Sequence, residues 1–514
     1  MARERRRRIQ RSERKEAGIE RLPWRTITNP RKPIEVLSED QVEAVHRASL
    51  KVLSEVGIKM LCPEARSLLK GAGAEVDEGE MTVRFDPALV EEQVAKAPRQ
   101  FTIAARNPER TITVGGNNVN FDCVGGPSFA NDLDRGRRPG NIEDMRDFVR
   151  LIQALDVIHV AGSSPFEPLD LPVDTRHLDK YLAAITLTDK VWSASLLGAF
   201  RAEDALEMTA LAHGISRDEL AKQPRVFGNI NTNSPRQLDV SMAQGLMTMV
   251  RNGQPVVITP FTLSGAMAPA TLAGALTLQN AEAQAGITLA QVVVPGAPVI
   301  YGGFTSNVDM KTGAPAFGTP EYTKACHATG QLARRYGVPY RSSSTTASNA
   351  VDAQAAYEAE MSLWGAVMGH ANLVFHAGGW LEGGLTCSFE KLILDAEMLQ
   401  MMSEYLQPVE IDDDTLAVEA IADIDPGGHF FGSAHTLERY ETAFYNPILS
   451  DWRNFETWSE DGAKSATQRA NEIWKQLLKD YEAPALDPAI VEALEAYVAE
   501  QKKEYEANPP NPGL

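Results

Sequence analysis

The sequence predicts an α/β protein built around a (β/α)8 TIM barrel, with an N-terminal α+β cap and a mostly helical C-terminal extension. Eight short apolar, strand-like runs recur with a period of roughly 36 residues, and a helix-like stretch follows each of them. Each run ends in a small or polar loop, so we expect the functional residues in the loops after the strands. The runs begin near Phe121, Val157, Val191, Arg225, Val256, Val299, Val338 and Asn372.

Residues 1–118 should form a tail and a cap that precede the barrel. An amphipathic pattern over residues 38–56 predicts a helix, and Ser38 is a residue type that caps helix N-termini. Short β-like pieces follow at residues 81–85, 101–105 and 111–114.

Residues 119–407 carry the alternating pattern of the barrel itself. Several of the predicted helices begin after Pro, Ser, Thr or Asp, which are common at helix N-termini. The helices are expected near residues 141–155, 175–188, 202–213, 235–250, 271–292, 319–336, 352–370 and 389–406.

Residues 408–514 should form an extension that packs on the barrel. It begins with a segment rich in aromatic residues and ends in two helical stretches, the second of which opens at Asp487 and Pro488. The aromatic residues are Phe430, Phe431, Tyr440, Phe444, Tyr445, Trp452, Phe455 and Trp458.

The composition excludes several classes of protein. A net charge of -19 and a pI near 5.0 argue against a nucleic-acid partner, which needs a basic face. The basic run 5–8 lacks the apolar stretch of a secretory signal and should be a solvated tail. No apolar run reaches the ~20 residues of a membrane span. The four scattered cysteines fit reduced thiols, so we expect a cytoplasmic protein.

The usual catalytic motifs are missing from the sequence. There is no GxxxxGK[ST] phosphate loop, no HExxH metal motif and no GxSxG nucleophile motif. His370 and His376 are six residues apart, a spacing that no common metal site requires. We therefore expect neither a metal site nor a tightly bound cofactor.

The predicted strand ends carry aromatic and neutral polar residues instead. Aromatic rings at one barrel mouth would suit a permanent cation, which the negative ring faces attract. The alternative that many of these residues are ordinary barrel packing stays open. The candidate substrate-binding residues are Phe166, Asn231, Phe261, Tyr301, Phe304, Tyr340, Arg341, Ser343 and Trp380.

Three separated blocks of the sequence resemble one known family. The blocks are LSEDQVEAVHRASLKVLSEVGIK near the N-terminus, residues 371–397 (ANLVFHAGGWLEGGLTCSFEKLILDAE), and residues 429–452 (HFFGSAHTLERYETAFYNPILSDW). Together they resemble the trimethylamine methyltransferase superfamily. The resemblance implies a TIM barrel that carries a methyl group from a methylated amine to the Co(I) of a separate corrinoid protein.

One departure from the family pattern bears on the substrate. The trimethylamine-using members carry pyrrolysine, and this sequence has none. The chain therefore resembles the branch without pyrrolysine, whose members demethylate quaternary amines such as glycine betaine. A DxHxxG corrinoid motif is also missing, because Asp156 to Gly162 has one residue too many. Cobalamin is thus expected on a transient partner protein.

This chemistry is consistent with the missing motifs. A quaternary ammonium loses its methyl as a neutral tertiary amine leaves, so no general acid is needed. Positioning and desolvation can then supply the catalysis. If the substrate is a betaine, Arg341 and the hydroxyl-rich residues 342–346 could bind its carboxylate. A structural ion pair at the barrel rim is the alternative for Arg341.

Two other classes of function stay open from the sequence. The chain could be a corrinoid-independent lyase or hydrolase acting on a small acid, with His376 and Glu382 as catalytic base and acid. It could also bind betaine-like solutes without catalysis. The sequence leaves self-association into a homo-oligomer open as well.

Overall fold

The computed structural model describes residues 19, 21–162 and 164–510. The basic run at residues 5–8 and the last four residues lie outside this description. Within the described residues, seven parallel strands alternate with helices, as the α/β prediction requires. The strands are β1 (Asn118–Phe121), β2 (Ser193–Ser195), β3 (Phe227–Thr232), β4 (Val256–Ser264), β5 (Val299–Gly302), β6 (Tyr340–Ser343) and β7 (Leu373–Phe375).

The strands pair in the order β1-β7-β6-β5-β4-β3-β2, and every pair in this path is parallel. The strand expected near Val157 is reduced to one residue, Val160, which makes isolated parallel bridges to Asp122 and to Val191. The α/β sheet is therefore confirmed, but the strand assignments alone do not confirm a complete eight-stranded barrel. Smaller strands extend the sheet at Ile27–Thr28, Phe304–Val308 and Pro315–Ala316.

One apolar cluster collects side chains from most of the sheet. Since side chains alternate between the two faces of a strand, residues in one cluster share a face. The hairpin Gln100–Ile103 and Ile112–Gly115 adds to this cluster from the amino-terminal side, where Ala104 donates a hydrogen bond to Pro224 ahead of β3. The strand-derived members are Val160, Val191, Phe227, Val257, Ile300, Leu373 and Phe375.

Eight helices follow the strands within the described chain, close to the ranges that the sequence predicts. The side chains of Asn141, Asp352 and Ser388 each accept a hydrogen bond at a helix N-terminus. The helices are α1 (Ile142–Ala154), α2 (Arg176–Leu187), α3 (Ala199–His213), α4 (Val240–Arg251), α5 (Leu272–Val293), α6 (Pro320–Tyr336), α7 (Ala353–Met368) and α8 (Phe389–Tyr405).

The N-terminal region is the α+β arrangement that the sequence predicts. Ser38 caps the helix Glu39–Lys51 through a capping box with Gln41, and a π-helical turn, Val52–Val56, continues it. The remaining elements are the helices Pro63–Gly71 and Pro87–Val94, the short helix Pro108–Arg110, and the strands Ile58–Met60, Glu75–Asp77 and Thr82–Arg84. The strand Gln237–Leu238, which lies between β3 and α4 in the sequence, pairs with Ile58–Met60 and joins this sheet to the rest of the fold.

A second small sheet lies between β1 and α1 and next to the loop after β7. Its strands are Phe129–Asp132, Gly136–Pro139, Trp380–Leu381 and Thr386–Ser388. A short helical turn, Glu382–Gly384, joins the last two strands. This sheet fixes the loop that carries Trp380 and His376.

The C-terminal region differs in part from the expectation. Several aromatic side chains expected to pack on the barrel are exposed, among them Phe431, Phe444 and Trp452. The final two helices do pack on the core. Trp474 on the first is buried and contacts Phe389, and Leu494 and Val498 on the second are buried. The helices of this region are Asp413–Leu416, Val418–Ala422, Phe430–Gly432, Ala434–Arg439, Phe455–Glu460, Ala466–Lys479 and Pro488–Ala507. None of the helices in the described residues has the length and apolarity that a membrane crossing needs.

Candidate functional site

A cavity of about 440 Å³ opens at the carboxyl ends of the parallel strands. Six of the candidate residues line it: Asn231, Phe261, Phe304, Arg341, His376 and Trp380. They reach it from β3, from β4, from β6 and from the segments that follow β5 and β7. Residues far apart in the sequence therefore meet at one mouth, as parallel strands require.

The two candidate tyrosines do not line the cavity. Tyr301 donates a hydrogen bond of 3.0 Å to the side chain of Asn280 on α5. Tyr340 donates one of 2.9 Å to the backbone oxygen of Cys326 on α6. Both point to the helices because their neighbours Ile300 and Arg341 occupy the opposite face of the strand.

Three other candidates also lie outside the cavity lining. Phe166 is fully buried and packs edge-on against Phe148. Ser343 is buried, and its hydroxyl has no hydrogen-bond partner among the described residues. Glu382 accepts two hydrogen bonds from Arg137, at 2.8 and 3.0 Å, and a third from Thr386. Glu382 makes no hydrogen bond to His376 in the described chain, so the expected acid–base pair is not assembled.

Arg341 is the principal cationic group of the cavity. Its side chain is 2% exposed, and its guanidinium lies 4.3 Å from the ring centre of Phe375 and 5.0 Å from that of Phe304. Its one protein hydrogen bond is a 3.4 Å contact to the backbone oxygen of Gly303, and Nε has no partner in the described chain. Burial lowers the pKa of Arg341 to about 10, so the group stays charged at neutral pH. A buried cation with free donors is suited to bind a carboxylate.

Asp122 was missed by the sequence analysis. It directly follows β1, lines the cavity and is 2% exposed, and its Oδ1 atom has no partner in the portion of the chain that the structure describes. Burial raises the pKa of the Asp122 carboxyl well above its usual range, although nearby Arg341 opposes this effect. A single acid at the end of a strand belongs to no motif, and only its position on the barrel pattern could have suggested it.

His376 lies between the rings of the site. Its ring centre is 4.3 Å from that of Trp380 and 5.5 Å from that of Phe304. Its backbone has a positive φ of 58°, which is unusual for a residue other than glycine and occurs often at functional sites. Burial, together with the charge of Arg341, holds the pKa of His376 well below its ordinary value. The imidazole is therefore neutral at physiological pH and is a poor general acid.

A polar network closes another side of the cavity. Asn229 donates a hydrogen bond of 2.6 Å to Asn231 and accepts one of 2.7 Å from Thr259. At the rim, Lys180 donates a hydrogen bond of 2.6 Å to Glu167, and burial lowers the pKa of this lysine. These groups satisfy each other, so they shape the cavity without leaving a free charge.

The hydroxyl-rich residues 342–346, at the end of β6 and just after it, are only partly available to a ligand. Ser342 donates to Cys326, Ser344 donates to Ala359, and Thr346 donates to Glu358. The hydroxyls of Ser343 and Thr345 have no partner within the described residues, yet neither residue lines the cavity. Of residues 341–346, Arg341 alone lines the cavity.

In residues 19, 21–162 and 164–510, no group of three or more His, Cys, Asp or Glu residues is arranged to hold a metal ion. The four cysteines are buried free thiols. Burial raises the pKa of Cys123, which lines the cavity, so this thiol is not an activated nucleophile.

Comparison with known proteins gives a consistent set of relatives. A model of the trimethylamine methyltransferase family, MTTB, matches residues 3–506. The chain is 38% identical to a glycine betaine methyltransferase of Desulfitobacterium hafniense (strain Y51), over 91% of this chain and 97% of that protein. It is 30% identical to the trimethylamine methyltransferase MttB of Desulfitobacterium hafniense (strain DSM 10664 / DCB-2), over 91% and 94%. The crystal structure of the Methanosarcina barkeri monomethylamine methyltransferase MtmB is a weak structural match, with a TM-score of 0.48 and 10% identity over 88% of this chain and 90% of that chain.

Proposed function

The chain belongs to the trimethylamine methyltransferase family, and we propose that it moves a methyl group from a quaternary amine to the Co(I) of a separate corrinoid protein. Glycine betaine is the expected substrate. The name of the 38% identical relative, glycine betaine methyltransferase, supports this assignment over trimethylamine. The absence of pyrrolysine from the sequence supports it as well.

The observation that carries the proposal is the buried guanidinium of Arg341. Glycine betaine has a carboxylate, whereas trimethylamine has none, and Arg341 offers that carboxylate charged donors inside the cavity. Phe261 and Trp380 supply aromatic surface for the methyl groups, while the ring of Phe304 lies next to the Arg341 guanidinium. Asn231 contributes to the polar wall through its hydrogen bond with Asn229.

The proposed reaction is a methyl transfer in which the C–N bond breaks and a Co–C bond forms. The electron pair of the C–N bond stays on nitrogen, so dimethylglycine leaves as a carboxylate with a neutral tertiary nitrogen that needs no proton at that step. The neutral state of His376 fits such a reaction, because no proton donor is required beside the nitrogen. The protein would then act mainly by desolvating and orienting the ammonium group. The corrinoid, supplied by its partner, is the methyl acceptor.

The two alternative functions receive less support. A lyase or hydrolase would need His376 and Glu382 as a pair, but the Glu382 carboxylate is bound to Arg137 and Thr386. Despite partial burial, which raises it, the pKa of Glu382 is lowered by the hydrogen bonds from Arg137 and Thr386. Glu382 is therefore a poor acid. A non-catalytic betaine-binding protein would share the same cavity, and only an activity measurement separates it from the transferase.

We also propose that the sheet closes into the eight-stranded barrel that the family resemblance implies. The bridges of Val160 to Asp122 and to Val191 support closure, because Val160 lies between the two ends of the seven-strand path. The shared apolar cluster of Val160, Val191, Phe227, Val257, Ile300 and Leu373 supports it too.

A spectroscopic assay with free cob(I)alamin tests the proposed function. The purified chain is mixed with cob(I)alamin and with one amine at a time: glycine betaine, choline, trimethylamine or monomethylamine. We expect conversion of cob(I)alamin to methylcobalamin with glycine betaine, and much slower conversion with trimethylamine and with monomethylamine. Conversion with trimethylamine at the rate of glycine betaine would contradict the proposed substrate class. No conversion, together with tight betaine binding, would favour the binding protein.

A further inference from the structure

We propose that Asp122 is the counter-ion of the substrate's quaternary ammonium group, so that Asp122 and Arg341 together make the cavity specific for a zwitterion. This inference rests on the proposed function, because it assigns a binding residue to the same cavity. It goes further in predicting that the site discriminates against amines that carry only one of the two charges.

Two buried ionisable groups of the cavity are unsatisfied. Oδ1 of Asp122 and Nε of Arg341 both lack a hydrogen-bond partner within the described part of the chain. The two residues influence each other electrostatically, yet no ion pair within 4.0 Å joins them in the described chain. Buried polar atoms are normally paired, so a free carboxyl oxygen and a free guanidinium nitrogen in one cavity mark the place of a ligand that carries a cation and an anion. Burial raises the pKa of the Asp122 carboxyl, and a bound ammonium group would lower it again and favour the ionised form.

Two aromatic rings of the cavity are already occupied by a cation of the protein. The guanidinium of Arg341 already lies near the rings of Phe304 and Phe375, at 5.0 and 4.3 Å from their centres. These two rings therefore have a cation of the protein as their partner. A substrate ammonium in the same cavity would meet the positive charge of Arg341 unless a negative group offset it. Asp122 is the acid that the cavity lining provides without an ion-pair partner in the described residues.

A glycine lies beside the Asp122 carboxyl. Gly162 also lines the cavity, and a Cβ atom built on it would lie 3.3 Å from Oδ1 of Asp122 and 3.1 Å from Sγ of Cys123. Its backbone has a positive φ of 68°, which favours glycine. A glycine at this position thus keeps the face of the carboxyl open.

The test compares three ligands of nearly the same shape by isothermal titration of the full chain. Glycine betaine carries both charges, choline carries only the cation, and 3,3-dimethylbutanoate replaces the ammonium nitrogen of betaine by carbon and keeps only the anion. The variant is Asp122→Asn, which preserves the size of the side chain. Glu382→Gln is the matched control, since it removes a carboxylate that is bound to Arg137 and lies outside the cavity lining.

We expect Asp122→Asn to weaken the binding of glycine betaine and of choline by at least about ten-fold. The same variant should bind 3,3-dimethylbutanoate as tightly as the unaltered protein, or more tightly, because Arg341 then loses a competing acid. Glu382→Gln should leave the order of the three ligands unchanged. If Asp122→Asn does not fold, the unaltered protein decides the question, since it should bind glycine betaine at least about ten-fold more tightly than 3,3-dimethylbutanoate.

Three results would overturn this inference while the proposed function stands. The first is betaine binding that Asp122→Asn leaves unchanged. The second is an equal loss of affinity for all three ligands, which would indicate a purely structural role. Equal affinity of the unaltered protein for betaine and 3,3-dimethylbutanoate would overturn it too. A failure of the unaltered protein to bind any of the three ligands would instead overturn the proposed function, and this inference with it.

Discussion

Replacing Arg341 by Gln should weaken the binding of glycine betaine by roughly 10- to 150-fold. The structure sets this magnitude, because the guanidinium is buried and, among the described residues, gives one long hydrogen bond of 3.4 Å to the backbone oxygen of Gly303. Its remaining donors are then available to the substrate carboxylate. A hydrogen bond between a charged donor and a charged acceptor contributes about 1.5–3 kcal/mol, which corresponds to the stated range of dissociation constants.

The assay for this prediction is titration calorimetry of the Arg341→Gln variant with glycine betaine and with choline. Choline has the same trimethylammonium group and no carboxylate, so its affinity should be unchanged or should increase. Thermal unfolding of the variant serves as a control for folding, because Arg341 also contacts the rings of Phe304 and Phe375. A change in betaine affinity below about three-fold, or an equal loss for choline, would refute a role of Arg341 in binding the carboxylate.

Three further predictions follow from particular contacts. Phe261→Ala should weaken the binding of choline more than that of its carbon isostere 3,3-dimethylbutanol, because only the cation interacts with the ring quadrupole. Equal losses of affinity for the two ligands in titration would mean that Phe261 contributes packing alone. Burial lowers the pKa of His159 and of His213 from 6.5 to about 4, so the unfolded chain binds more protons than the folded chain below pH 6.5. The free energy of unfolding should therefore fall between pH 6.5 and 4 by up to about 3 kcal/mol for each histidine. Denaturant titrations that show a rise in this free energy over the same range would be inconsistent with the prediction. Lys391→Met breaks the buried ion pair with Asp395 and should lower the free energy of unfolding, measured by chemical denaturation, by about 3–5 kcal/mol. Lys464→Met breaks an exposed ion pair with Glu472 and should change this free energy little, so similar effects of the two variants would contradict the prediction.

The sequence was most informative about local structure. The N-cap residues Ser38, Asn141 and Asp487 each accept the hydrogen bond expected at a helix start, because capping depends on residues within one turn of the chain. Local sequence could not predict that the strand expected near Val157 is reduced to one paired residue, Val160. An apolar run shows that a segment is buried, but the pairing of Val160 depends on neighbours distant in the sequence.

The candidate site was predictable only in part, for two physical reasons. Tyr301 and Tyr340 were assigned to the mouth from their position along the strand, whereas their face is set by the alternation of side chains. Counting from the inward-facing Ile300 and Arg341 would have excluded both tyrosines. Asp122 was not predicted as a site residue because its proposed role depends on Arg341, which reaches the same cavity from a different strand. Such charge complementarity appears only when the strands are brought together.

The most direct test of the central claim follows the methyl carbon itself. Glycine betaine labelled with ¹³C in its N-methyl groups is incubated with the purified chain, with and without cob(I)alamin, and the products are measured by NMR. We expect one equivalent of dimethylglycine for each equivalent of ¹³C-methylcobalamin, and neither product when cobalt is left out. Release of dimethylglycine without cobalt, or of dimethylglycine whose lost methyl does not reach cobalamin, would contradict the methyl transfer proposed for this protein.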